Sequence, residues 1–100
     1  VNVYEQALEL DKHRCRVRAC GSYFRVEVHH IIPKSQRGPS ELWNLITLCS
    51  YHHKLVTENK ISIIKILTQL FKQPDFRWQP SLNWHLNRVN LRKKYGQPTN

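Results

Sequence analysis

Acidic side chains are scarce in this 100-residue chain: seven Asp and Glu stand against 16 Lys and Arg, for a formal net charge of +9. Three of the acids, Glu5, Glu9 and Asp11, fall in the first eleven residues, so the remainder carries every basic residue against four acids. Such a field favours a polyanion, nucleic acid or an anionic membrane surface, and implies steep salt dependence. The plainer reading is that the cations keep a small domain soluble. No apolar run approaches the ~20 residues of a membrane span, and no signal segment is visible. Three cysteines cannot pair off completely, which argues against a disulfide framework and for a reducing, cytoplasmic setting. Methionine is absent and the sequence opens at Val1, as expected of a trimmed piece. One hundred residues predict one small domain, residues 1–100, whose modest core a structural metal would reinforce.

The pattern of apolar residues predicts an α+β chain. Tyr4 to Lys12 reads as a helix with Ala7, Leu8 and Leu10 apolar. Cys15 to Cys20 encloses a basic loop closed by Gly21 and Ser22. Phe24 to Ile31 alternates as a strand, with His30 on the Phe24 face and His29 on the Arg25 and Glu27 face. Pro33 ends it, and Lys34 to Ser40 reads as an exposed loop. Leu45 to Leu48 is a second strand, and Ser50 starts a helix reaching about Glu58. Ile63, Ile66, Leu67, Leu70 and Phe71 share a helix face expected to be core. After a connector bracketed by Pro74 and Pro80, Ser81 is expected to cap a last helix that turns Leu82, Leu86 and Val89 inward. Its basic end, Arg88, Arg92, Lys93 and Lys94, suits either the helix dipole or phosphate. Gln97 to Asn100 is expected to fray.

One stretch proposes chemistry. His29, His30, Asn44, Cys49, His52 and His53 fall within 25 residues, with Cys15 and Cys20 close upstream. On a helix starting near Cys49, positions 49, 52 and 53 share a face. Cys15 and Cys20 from a loop, with Cys49 and His52 from the helix, would complete a Cys3His tetrahedron suited to structural Zn2+. The alternative is three buried apolar cysteines beside a surface histidine. Glu27 reads as a solvated strand residue, with bracing of a metal ligand as second choice.

In the segments Val28-His29-His30-Ile31-Ile32-Pro33, Trp43-Asn44-Leu45-Ile46-Thr47-Leu48-Cys49 and His52-His53, the chain resembles the HNH endonuclease family. The resemblance covers about residues 15–58. It implies a small ββα-metal core, a two-stranded hairpin packed on one helix, which the zinc tetrad would staple. The N-terminal helix and the helical extension over about residues 61–94, read from their apolar spacing, lie outside the resemblance and would flank it. The resemblance also implies that His30 is the general base, that His29 and His53 bind a catalytic divalent ion, and that Asn44 either orients the hairpin loop, the favoured role, or approaches the ion.

Three departures from the family pattern stand out. Four residues rather than two separate Cys15 from Cys20. His52 occupies the usual place of a fourth zinc thiolate, which leaves an exchange of roles with His53 open. Thr57 stands where many members have another histidine, so the catalytic ion, Mg2+, Mn2+, Ni2+ or Zn2+, would have two imidazoles. The activity implied is metal-dependent hydrolysis of DNA with little sequence specificity, nicking or double-strand, with Arg16, Arg18, Lys34, Arg37 and Lys54 as phosphate contacts. Two rivals remain. One is an inactive, zinc-stabilised nucleic-acid-binding module. The other is an adaptor with an exposed apolar patch around Ile63 to Phe71.

Overall fold

Asn2 begins the first helix, its side chain accepting from the backbone N–H of Glu5, and α1 spans Val3–Leu10. Lys12 and His13 then adopt left-handed φ values of 56° and 55°, which stop the helix and turn the chain into the cysteine loop. Of the helix's apolar residues Ala7 is fully buried, while Leu10 remains half exposed. The computed structural model describes the backbone of residues 2–94 and side chains as far as Leu91. The side chains of Arg92, Lys93 and Lys94, and the tail 97–100, lie outside the described residues.

Val26–His30 (β1) pairs antiparallel with Leu45–Cys49 (β2), in a register running from Val26 opposite Cys49 to His30 opposite Leu45. β1 starts two residues later than its alternation predicts because Arg25 takes a φ of 51°, incompatible with an extended strand. Phe24 consequently projects into solvent, 70% exposed. Every residue of β2 is buried, since α1 and the Asp11 turn cover one face and the helical half of the chain covers the other. Ser50–Thr57 (α2) follows β2 without a break.

Ile63–Leu70 (α3) is capped by Ser62, whose hydroxyl accepts from Ile64 N. Ile63, Ile66, Leu67 and Leu70 are buried against Ile46 and Leu48 of the hairpin and against Trp78 and Leu82. Each such side chain contributes about 1.5–3 kcal/mol by leaving water. Phe71, expected in this stripe, sits past the helix end, 49% exposed and edge-on to Phe76. The apolar face that an adaptor would offer is thus covered from within.

The last helix corrects its sequence reading. Gln79–Lys94 (α4) starts before Ser81, because Pro80 fits a first helical turn, where its missing N–H forfeits no bond. Ser81 therefore lies inside the helix and fully buried rather than at its cap. Leu86 and Val89 do not turn inward: they are 38% and 37% exposed, since α4 meets the core through its first two turns, at Ser81, Leu82 and His85. Among the described residues no helix is long and apolar enough to cross a membrane.

Asp11 ties these layers together. Its buried carboxylate accepts both Nη groups of Arg77, at 2.8 and 3.0 Å, Nη1 of Arg16 at 3.0 Å, and Thr47 N at 3.0 Å. Arg77 also donates to the carbonyls of Leu42 and Leu45, and Trp78 Nε1 to the Leu45 carbonyl. Both guanidiniums stack on Trp78. Removing one member of a buried ionic network strands the others, so Asp11→Ala is expected to lower stability by about 3–5 kcal/mol. Denaturant titration with zinc content monitored checks this; a change below about 1 kcal/mol would show that the network is dispensable.

Candidate functional site

Three segments converge beside the end of the hairpin. Cys15 and Cys20 sit in a loop drawn closed by hydrogen bonds from Cys15 N to Ser22 O and from Cys20 N to Val17 O. Ala19 and Gly21 take left-handed φ values of 70° and 62°, which lets four intervening residues bring both thiols to one point. Cys49 ends β2 and caps α2, its Sγ accepting from His52 N. His52 Nδ1 lies 3.5 Å from Cys15 Sγ and 3.3 Å from Cys49 Sγ, and the ligand atoms of all four residues lie within 4.8 Å of one another. A zinc tetrahedron with sulfur at ~2.3 Å has edges of about 3.8 Å, so these donors fit the ion with sub-ångström adjustments. Burial pushes the Cys15 thiol up to about 12, so a bound ion must displace its proton. Burial also holds His52 below its ordinary 6.5, in the neutral form that can ligate. His52, not His53, joins the cysteines.

The remaining histidines divide between the two faces of β1. On the α2 face, His29 and His53 meet edge-to-face with ring centroids 5.1 Å apart, and the Glu27 carboxylate is hydrogen-bonded to His53 Nδ1. Glu27 is therefore the partner of a candidate ligand rather than a free strand residue, and leaves Nε2 of His53 available. Burial first, and then the nearby His53, His30 and His85, lower His29 to about 4, which keeps this imidazole neutral. Imidazole nitrogens converging from strand and helix are the donor chemistry a divalent ion requires. A cleft of about 620 Å3 opens beside them, lined by His29, Ile31, Val56, Thr57, Ile63 and His85 among others.

On the opposite face His30 is partly open to solvent. Its Nε2 lies 3.0 Å from Ser40 Oγ, which is itself 2.8 Å from Tyr4 Oη, and the Tyr4 and His30 rings are 5.9 Å apart. Burial and the charge of Lys34 lower its pKa from 6.5. The sequence placed Ser40 on an exposed loop and singled out neither Ser40 nor Tyr4 as a partner of the histidine.

Asn44 is fully buried in the turn before β2. Its Oδ1 accepts from Ile32 N at 2.7 Å and lies 2.7 Å from Ser81 Oγ, while Nδ2 donates to Ile32 O at 3.1 Å and Pro39 O at 2.9 Å. The side chain thus spans the neck of the 31–44 loop. Gly38 allows the loop to fold back so closely, since a Cβ there would come within 1.8 Å of Ile32 O.

Of the five basic residues assigned to phosphate, Arg18, Lys34, Arg37 and Lys54 are exposed. Arg16 is not available: its side chain is 12% exposed and committed to Asp11 and Asp75. Its cationic head closes an internal network, a correction that no local sequence signal foreshadows. His85 was missed altogether.

The family model for HNH endonuclease matches residues 15–58, the segment holding both histidine sets and all three cysteines. Over that segment the chain is similar to the HNH endonuclease family. Among solved structures, the Type IV phosphorothioation-dependent restriction endonuclease ScoMcrA is similar, with a TM-score of 0.51 and 20% identity over 87% of this chain. The chain spans 17% of that protein's length, and at this identity the likeness is one of fold. It extends beyond the HNH segment into the flanking helices. No curated protein matches the chain.

Proposed function

We propose that this HNH chain is a metal-dependent DNA endonuclease that hydrolyses phosphodiester bonds with His30 as general base. The observation that carries the reading is the division of β1: the imidazoles of His29 and His53 converge on one face, while partly exposed His30 lies on the other, beside Ser40 and Tyr4. His29 and His53 would hold one divalent ion, Mg2+, Mn2+, Ni2+ or Zn2+, with Glu27 orienting the His53 ring. When bound, that ion supplies Lewis-acid neutralisation of phosphate charge and of the departing 3′ oxygen.

The chain's own residues supply the rest. His30 takes the proton from the attacking water, with Ser40 and Tyr4 fixing its ring. Asn44, whose side chain bridges the loop through Ile32 and Pro39, orients the strand that carries the base. The Cys3His cluster binds a second, structural Zn2+ away from the chemistry. Arg18, Lys34, Arg37 and Lys54 hold backbone phosphates, which positions duplex without reading bases and favours low sequence specificity. The products are a 5′ phosphate and a 3′ hydroxyl.

Supercoiled plasmid incubated with the zinc-loaded chain and each of Mg2+, Mn2+, Ni2+ and Zn2+ tests this. Nicked or linear DNA is expected with at least one ion and none after chelation of the added metal. Binding without cleavage under every ion would identify an inactive nucleic-acid-binding module instead.

A further inference from the structure

We propose that α4, which lies outside the HNH segment, supplies part of the device holding the active strand, with Ser81 and His85 as positioning residues for His29 and His30. The inference rests on the nuclease reading and deepens it. Ile31 and Ile32 directly follow His30 and are almost entirely buried, so their four backbone polar groups need partners inside the protein. Asn44 provides three. Its carbonyl accepts from Ile31 N at 2.9 Å, its Oδ1 accepts from Ile32 N, and its Nδ2 donates to Ile32 O. The fourth, the Ile31 carbonyl, receives Nε2–H of His85 at 2.7 Å.

Ser81 acts one step back. Its hydroxyl lies within hydrogen-bond reach of both Trp43 O and Asn44 Oδ1, at 2.8 and 2.7 Å, and so holds the carboxamide that holds Ile32. Ser81 and His85 are four residues apart and therefore share one face of α4. Trp84 stacks edge-on to His85 at 4.8 Å, and Arg88, over the Trp84 ring, also donates to Gln36 in the 31–44 loop. Helix and loop are thus tied at three levels. His85 also lines the cleft beside His29, so its loss frees the strand at the point where both imidazoles are presented. A displacement of about 1 Å at such a point can slow catalysis by 10²-fold without weakening substrate binding.

The test compares wild type, His85→Gln, His85→Ala and Ser81→Ala as zinc-loaded 100-residue chains. Two readouts are plasmid cleavage, resolved into kcat and KM, and hydrogen exchange at the Ile32 amide without DNA. A glutamine amide can reach and donate to the Ile31 carbonyl as the imidazole does. His85→Ala is expected to lower kcat by about 10- to 100-fold with KM within about 2-fold, and to accelerate Ile32 exchange at least about 10-fold. His85→Gln should restore most of both, and Ser81→Ala should fall between. Wild-type kcat and wild-type Ile32 exchange in His85→Ala overturn the proposal. So does a folded His85→Gln variant as slow as the alanine one, and that variant decides the matter if His85→Ala does not fold. If wild type cleaves nothing, the nuclease reading fails, while the exchange data still report whether His85 holds the strand.

Discussion

Alanine at His30 is expected to lower DNA cleavage by about 10²- to 10⁴-fold, with zinc content and helical signal unchanged. The side chain is partly exposed, belongs to no part of the apolar core, and makes its polar contact to Ser40, so its removal leaves little buried surface behind. The effect is therefore catalytic in origin rather than a loss of fold. The pH profile gives the same residue a second signature. Burial and Lys34 disfavour the imidazolium, so the basic form persists below pH 6.5, and the acid limb of kcat should lie below that value. Activity is lost as pH falls through the lowered pKa. Lys34→Ala removes one of the two causes and should move the limb upward. Cleavage that survives in the His30→Ala protein would remove His30 from the mechanism.

Stripping the structural metal should have the larger effect on the fold. Structural zinc in small domains contributes roughly 10–16 kcal/mol of apparent binding free energy at neutral pH, comparable with or above the ~5–15 kcal/mol total stability of an ordinary domain. Here the ion would join the loop after α1 to the β2–α2 junction, through residues 15, 20, 49 and 52. Prolonged chelation, or Cys49→Ser, is expected to abolish the cooperative unfolding transition by near-ultraviolet circular dichroism and to expose amides along β2. A freshly purified protein should carry close to one zinc per chain. A chelated chain with an unchanged melting curve would reduce the cluster to packed thiols. Acid acts in the same direction as chelation. His29, about 4 when folded against an ordinary 6.5, binds fewer protons in the folded state, so its contribution to stability is present above pH 6.5 and declines as pH falls toward 4.

The core was readable because its signals are local. Cys49 and His52 fall one helical turn apart, and the β1 alternation separates His29 from His30, whereas His52 and His53 share a helix face by spacing alone and their division needs the fold. Local spacing also serves α3, where it places four of five residues in the core. What escaped depends on groups distant in sequence. Arg16 looked like a phosphate contact because nothing near it indicates that Asp11 and Asp75 would claim its guanidinium. Glu27 is exposed, as a solvated strand residue should be, but its hydrogen bond to His53, 26 residues away, has no local signal. Ser81 looked like a cap by its residue type, while Pro80 fitted the first turn and left the serine to face Asn44. For His85 a signal existed: Ser81, Leu82 and His85 share one helix face, and a histidine aligned with buried neighbours needs a partner for its ring nitrogen.

The Asp11 network also dictates an order of assembly. Its Arg77 partner lies 66 residues downstream, whereas the residues of the cysteine cluster span only positions 15 to 52. During synthesis the hairpin, α2 and their thiolates emerge well before residue 77, so the metal knot can tie while the Asp11 carboxylate still lacks its bidentate arginine. The most distant contact must therefore close last, docking the C-terminal third onto a core already formed. In refolding experiments Arg77→Ala should chiefly accelerate unfolding and leave the folding rate nearly unchanged.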